Sequence, residues 1–320
     1  MRVVVHDRYG PPEVLRIEEA PAPTPAAGEV LVRVHATTVT QTDCHMRRAQ
    51  PFVWRFLLGL RRPKRRVLGL EFAGVVEAVG TGVTAYAEGD RVFGLRGGAH
   101  ADYICVREAG LMAHIPEGTT FVGAAALCDG VSQAWGHLNA GAVGTGTRLL
   151  VYGASGSCGT AAVQLGRHLG AHVTAVCTAK NVELMRTLGA DAVIDYAQED
   201  FTRNGATYDV ILDAVGKYSF LRSRRSLAPR GRFVPTDGLH NVAFAIATRW
   251  FGGRKVVGMK PGMGYSREKV LLVKALVEEG RYRPVVDRSY PIEDVVAATR
   301  YVESWQKTGN VVMTLDAAVG

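Results

Sequence analysis

Three glycines spaced three apart, Gly153, Gly156 and Gly159, follow directly on the apolar run Arg148-Leu-Leu-Val-Tyr152. Each spacing has a use in holding a dinucleotide: a tight turn off a strand, close approach of backbone to a pyrophosphate, and close packing of the next helix on the strand. The helix expected over Thr160 to Leu169 would aim its unsatisfied N–H groups at the phosphates, with Ser155, Gly156, Ser157 and Cys158 forming the turn that meets them. A second apolar strand, His172 to Cys177, completes the βαβ order in which such a turn binds nucleotide rather than serving as an ordinary loop. An NAD site places Asp or Glu at the end of that strand, about twenty residues on, to hold the ribose 2′-hydroxyl. This chain reads Cys177-Thr-Ala-Lys-Asn181 instead. A hydroxyl and an ammonium suit a 2′-phosphate that a carboxylate would repel, so Thr178 and Lys180 point to NADP(H). The competing reading makes Lys180 one more solvated lysine.

These residues need a parallel sheet to hold them. From about Phe121 to Gly258 the chain alternates strands with helical patterns: Leu149–Tyr152, Val173–Cys177, Ala192–Asp195, Val210–Ala214 and Arg232–Pro235. Such alternation implies an α/β fold with a doubly wound parallel sheet covered on both faces. Before it lies a β-rich region with strands at Arg2–His6, Glu29–Thr38, Glu71–Val79 and Asp90–Gly94, separated by turn signals such as Tyr9-Gly-Pro-Pro and Gly80-Thr-Gly. After it come a helix from Glu268 to Gly280, a strand around Val285 to Tyr290, a helix from Ile292 to Glu303 and a strand from Gly309 to Leu315. We therefore expect domains at 1–120 and 121–258, with 259–320 returning to the first.

With 320 residues and 47% hydrophobic content the chain can bury two sizeable cores. No stretch approaches the roughly twenty apolar residues of a membrane span, and no signal segment precedes the first strand, so a cytoplasmic protein is expected. Five scattered cysteines, Cys44, Cys105, Cys128, Cys158 and Cys177, argue against a disulfide framework. The net charge of +8 is localised: between Arg47 and Arg66 lie eight basic residues and no acidic one, and without them the chain would hold 30 of each sign. Phe52, Val53, Trp54, Phe56, Leu57, Leu58 and Leu60 lie in the same stretch. Nucleic-acid binding is not expected. Three readings of 47–66 stand: a packed helix with solvated arginines, a flap receiving an acidic substrate or a carrier's phosphate, and contact with an anionic membrane surface.

The strings Val67-Leu-Gly-Leu-Glu-Phe-Ala-Gly-Val-Val-Glu-Ala-Val-Gly80, Gly89-Asp-Arg-Val-Phe-Gly94, Gly153-Ala-Ser-Gly, Leu188-Gly-Ala-Asp-Ala-Val-Ile-Asp-Tyr196 and Tyr208-Asp-Val-Ile-Leu-Asp213 resemble the medium-chain dehydrogenase/reductase superfamily, and within it the zinc-free quinone-reductase-like and enoyl-reductase-like branch. The resemblance implies a GroES-like catalytic domain, a Rossmann domain, a cleft between them, and Tyr196 as a neighbour of the adenosine phosphate. Zinc-dependent members have a cysteine three residues before the aspartate that here is Asp43, and a histidine just before the glutamate that here is Glu71; this chain has Thr40 and Leu70. Cys128 alone of the three ligand positions bears a usual zinc donor, and Cys105 is alone where a structural zinc lobe would lie, so no metal is expected.

Without a Lewis acid the reductive direction on an activated acceptor is favoured, a conjugated enone or a quinone, on a biosynthetic intermediate in one version. The segment Thr40-Gln-Thr-Asp-Cys-His45 borders the nicotinamide end of the cleft by the resemblance. His45 is then the candidate general acid, and Thr40 or Thr42 the group orienting the substrate oxygen. Alternatively, Asp43 simply caps a helix, with His45 on a surface and Thr40 filling a strand end. Zinc-free relatives commonly have Asn and Tyr at the positions of Thr40 and His45. Because ligands of open α/β sheets sit beyond the carboxyl ends of the strands, Val215, Gly216, Thr236 and Gly238 are cofactor candidates. Asn310 is a further one or a turn-capping amide, and Val131 and Trp135 are pocket candidates. The alternatives are a carbonyl/alcohol oxidoreductase and, in another class, an NADPH-binding protein with RNA, membrane or partner binding and little turnover. Lys255 to Met259 could pair across a two-fold axis, giving a homodimer.

Overall fold

A computed structural model describes residues 1–50, 52, 55–236, 239–250, 253–259 and 264–315. The chain divides into two compact units, Met1–Asp129 with Arg267–Gly320, and Gly130–Ser266. No helix among the described residues is long and apolar enough to cross a membrane.

The first unit is a GroES-like sheet domain whose main sheet has seven strands among the described residues, with Arg2–Val5 and Arg16–Glu19 forming a separate pair. Its longest strand, Glu29–Val39, puts Val30, Val32, Val34 and Ala36 at alternate positions, and all four are buried. Glu71–Val79 pairs with it antiparallel, and a Cβ on Gly74 would stand 2.1 Å from the Arg33 carbonyl oxygen, so glycine permits the close ladder there. On the other flank Asn310–Thr314 pairs antiparallel with residues 36–39, and Val286–Pro291 pairs parallel with that strand. The C-terminal residues thus complete the same sheet, and Val311 and Met313 join its core beside Phe72, Val76 and Met112.

The second unit is a six-stranded parallel sheet in the order Ala192–Asp195, His172–Cys177, Arg148–Tyr152, Tyr208–Asp213, Leu227–Pro235, Lys255–Val256. Numbered within the unit this is 3-2-1-4-5-6, the doubly wound Rossmann order, whose direction reverses between Arg148–Tyr152 and Tyr208–Asp213. Leu149, Leu150 and Val151 are wholly buried, as a strand covered on both faces requires.

Several boundaries differ from the sequence expectation. The helix after the glycine turn begins at Ser157, three residues early, because Gly156 already occupies the N-cap. The strand expected at Arg232 starts at Leu227. Strands Arg16–Glu19, Tyr103–Arg107 and Leu111–His114 were not anticipated; the first is three-quarters charged, so no apolar alternation marks it. Only Lys255 and Val256 of the 255–259 stretch pair, with Arg232 and Phe233.

One buried cation fastens the helix Gln41–Arg48 in place. Arg47 is fully buried, donates to the Gly10 carbonyl and pairs with Glu303, which also takes Arg48. Replacing one member of such a set leaves an uncompensated charge and a void, so Arg47→Ala should cost about 3 kcal/mol of unfolding free energy, read as a lowered urea midpoint.

Candidate active site

In the Rossmann-like unit the polypeptide leaves Arg148–Tyr152 through Gly153, whose φ of 75° favours glycine. The N–H groups of Gly153 and Ala154 both donate to the Val176 carbonyl at 3.2 and 3.1 Å, and Gly156 N–H returns to the Gly153 carbonyl at 3.2 Å. Gly156 then caps the helix Ser157–His168 with no side chain filling its first turn. The N–H groups at the start of this helix, with the half-buried Ser155, Ser157 and Cys158 around them, suit an anion. A Cβ at Gly159 would lie 2.2 Å from the Gly153 oxygen, whereas one at Gly156 would meet that oxygen only at 3.7 Å.

The ends of the neighbouring strands converge on this turn. Cys177 is in register with Asp195, and the Tyr196 N–H donates to the Cys177 carbonyl at 3.1 Å, which sets Thr178 and Tyr196 at adjacent strand ends. Lys180 and Tyr196 are exposed, and the Tyr196 ring lies 6.4 Å from that of Tyr152. On the other side of the reversal point, buried Asp213 accepts from the N–H of Val215 at 3.2 Å and of Tyr218 at 2.7 Å. Burial holds its carboxyl above the usual range. The Thr236 hydroxyl donates to the Asp213 carbonyl at 2.9 Å, and Gly216 has φ 67°. Gly238 lies outside the described residues. Val131 and Trp135 stand four apart on the helix Asp129–Ala140, the first buried and the second half-buried.

In the GroES-like unit, Thr40 rather than Asp43 is the N-cap of Gln41–Arg48, and the two form a capping box. The Thr40 hydroxyl accepts from Asp43 N–H at 3.0 Å and donates to the Asp43 carboxylate at 2.7 Å; the other Asp43 oxygen takes Gly69 N–H at 3.0 Å. In this arrangement the Thr40 hydroxyl donates to the carboxylate that it caps with. Thr42 and His45 are half-buried and three apart on that helix, so their side chains are neighbours. Asn310 is buried, and its amide donates to the Val285 carbonyl at 3.1 Å, tying two strand ends together.

Beneath the Thr40 cap lies a polar interior that residue typing did not single out as functional. Glu71 is fully buried; one carboxylate oxygen accepts from the N–H groups of Cys128 at 2.8 Å and Asp129 at 2.6 Å, and the other takes the Thr38 hydroxyl. Burial, then the negative Asp129 close by, pushes its carboxyl up to about 8. Burial brings the Lys307 ammonium down to about 8 against the pull of Asp129, Cys44, Asp287 and Glu71. The signal for Glu71 was an acid directly ahead of the apolar run Phe72-Ala-Gly-Val-Val76.

Family models match the chain at residues 26–117, "Alcohol dehydrogenase GroES-like domain", and at 188–313, "Zinc-binding dehydrogenase". The chain is 32% identical to the pikromycin polyketide synthase component PikAII of Streptomyces venezuelae over 94% of its own length, which is 8% of that protein. It is 29% identical to 2-methylene-furan-3-one reductase of Solanum lycopersicum, covering 98% of this chain and 79% of the relative. A quinone oxidoreductase structure from Coxiella burnetii superposes with a TM-score of 0.86 at 24% identity, covering 99% of each chain. The chain belongs to the medium-chain dehydrogenase/reductase superfamily of oxidoreductases.

The second family description implies zinc, and the donor set does not fit it. Leu70 offers no donor, and the Thr40 hydroxyl and the Glu71 carboxylate are engaged as described. Among the described residues no three His, Cys, Asp or Glu side chains converge.

Two outcomes follow. Gly156→Ala should lower the urea midpoint less than Gly159→Ala does, because its Cβ meets the Gly153 oxygen only at an ordinary 3.7 Å, and both should lower affinity for a nicotinamide cofactor measured by calorimetry. For Glu71, the folded state keeps a proton that the unfolded chain releases above 4.5, so stability falls as pH rises from about 4.5 to about 8. Glu71→Gln should remove that fall, seen by comparing urea midpoints at about pH 5 and about pH 9.

Proposed function

We propose that the protein is a zinc-independent, NADPH-dependent reductase of a conjugated enone or a quinone. The observation that carries this is a glycine turn at the reversal point of a 3-2-1-4-5-6 sheet, with Thr178 and Lys180 and no carboxylate at the end of the second strand. The tomato relative, named for reducing a 2-methylene-furan-3-one, supports an acceptor in which a double bond is conjugated to a carbonyl.

The turn from Ser155 to Cys158 would hold the pyrophosphate, with Thr178, Lys180 and Tyr196 around the 2′-phosphate and Val215, Gly216 and Thr236 approaching the ribose and nicotinamide. When bound, the cofactor supplies hydride. His45 would donate the proton that completes reduction, and Thr40 or Thr42 would hydrogen-bond the oxygen on which charge develops. A homodimer through the edge strand Lys255–Val256 belongs to the same reading.

The test is incubation of the purified protein with NADPH and a simple conjugated enone, with the product identified by NMR. Saturated ketone is expected; allylic alcohol would move the assignment to carbonyl reduction, and NADPH binding without turnover on enones or quinones would favour a binding protein. In the same assay Lys180→Ala should weaken NADPH about tenfold and leave NADH unchanged, and His45→Gln should lower kcat more than KM.

A further inference from the structure

The excess positive charge of 47–66 is divided by the fold into paired and unpaired cations. Arg47 and Arg48 pair with Glu303, and Arg66 pairs with Asp7 and Glu18. Arg55 stacks over the rings of Tyr9 and Phe52, 4.9 and 5.1 Å from their centroids. Arg61, Arg62, Lys64 and Arg65 are exposed and form no ion pair with any described residue, and neither does exposed Arg8 beside them. Arg8 and Arg62 face a basin of about 740 Å³ whose acids, Asp7 and Glu13, are already taken by Arg16, Arg66 and Arg300.

The same segment leaves large apolar side chains in water. Phe52, Phe56 and Leu60, four residues apart, are 61%, 63% and 59% exposed. The short helix Arg55–Leu58 that presents Phe56 is held to the first strand's exit by the Tyr9 hydroxyl, which donates to the Gly59 carbonyl at 2.7 Å, and the turn after it closes through Lys64 N–H to the Leu58 carbonyl at 2.8 Å.

We infer that this face docks on an anionic phospholipid surface, with Phe52, Phe56 and Leu60 entering the headgroup boundary and Arg8, Arg61, Arg62, Lys64 and Arg65 meeting lipid phosphates. A soluble polyanion would satisfy the cations and leave the aromatic rings exposed; a bilayer with acidic headgroups satisfies both. The inference goes beyond the reductase reading and is independent of it.

The test is sedimentation of the full chain with vesicles of phosphatidylcholine alone and of phosphatidylcholine with phosphatidylglycerol, at low and high salt. Binding to the acidic vesicles only, reversed by salt, is expected. Arg61→Ala with Arg62→Ala should weaken it about 25-fold, on the basis of about fivefold per cation, and the double lysine variant should restore it. Phe52→Ser with Phe56→Ser should also weaken it while leaving the urea midpoint and NADPH affinity unchanged. Equal binding to neutral vesicles, no binding to acidic ones at low salt, or indifference to the phenylalanine pair would each overturn the proposal, as would single-stranded RNA binding as tight as vesicle binding and unaffected by the phenylalanine substitutions.

Discussion

The carbonyl oxygen of Gly153 stands so close to Gly159 that no side chain fits between them, and much of the Rossmann-like unit depends on that approach. It sets the angle at which the helix Ser157–His168 leaves the strand. The same helix then lies against the strand at Gly166, whose Cβ would press on Leu149 at 2.8 Å. With the helix fixed at both ends, its first turn opens beyond the carboxyl ends of the parallel strands, where the sheet order reverses, where Asp213 ends its strand and where Thr236 and Tyr196 directly follow theirs. One steric limit therefore governs packing and the placement of the polar backbone.

The GroES-like unit is organised differently, around carboxylates rather than glycines. Asp43 joins the helix Gln41–Arg48 to Gly69, and Glu71 joins the strand it heads to the chain at Cys128 and Asp129. Each acid satisfies backbone N–H groups that would otherwise be buried without acceptors. The cost is desolvation of ionisable groups in a dry interior, visible in the raised Glu71 carboxyl and the depressed Lys307 ammonium. The polar side chains of this unit are thus occupied mainly in holding it together, leaving Thr42 and His45 as the half-buried pair on the helix.

What the sequence made legible follows from how local each signal is. The glycine spacing, the strand His172–Cys177 and the missing acid before Lys180 are short-range patterns, and the parallel sheet expected from them is the sheet observed. Arg16–Glu19 escaped because its pairing with Arg2–Val5 is made by backbone and not by apolar alternation. The engagement of Thr40 escaped in part: a Thr three residues before an Asp is a readable capping pattern, but only the geometry shows the hydroxyl proton turned onto the carboxylate. Glu71 and Lys307 are 236 positions apart in the chain, and no window of sequence could bring them together.

Asp213 has a consequence for timing. By gripping the N–H groups of Val215 and Tyr218 it freezes the 214–218 loop as the protein folds, so the entropy of ordering that loop falls on folding rather than on ligand capture. A ligand reaching the strand end meets a rigid rim instead of a segment that must first condense around it.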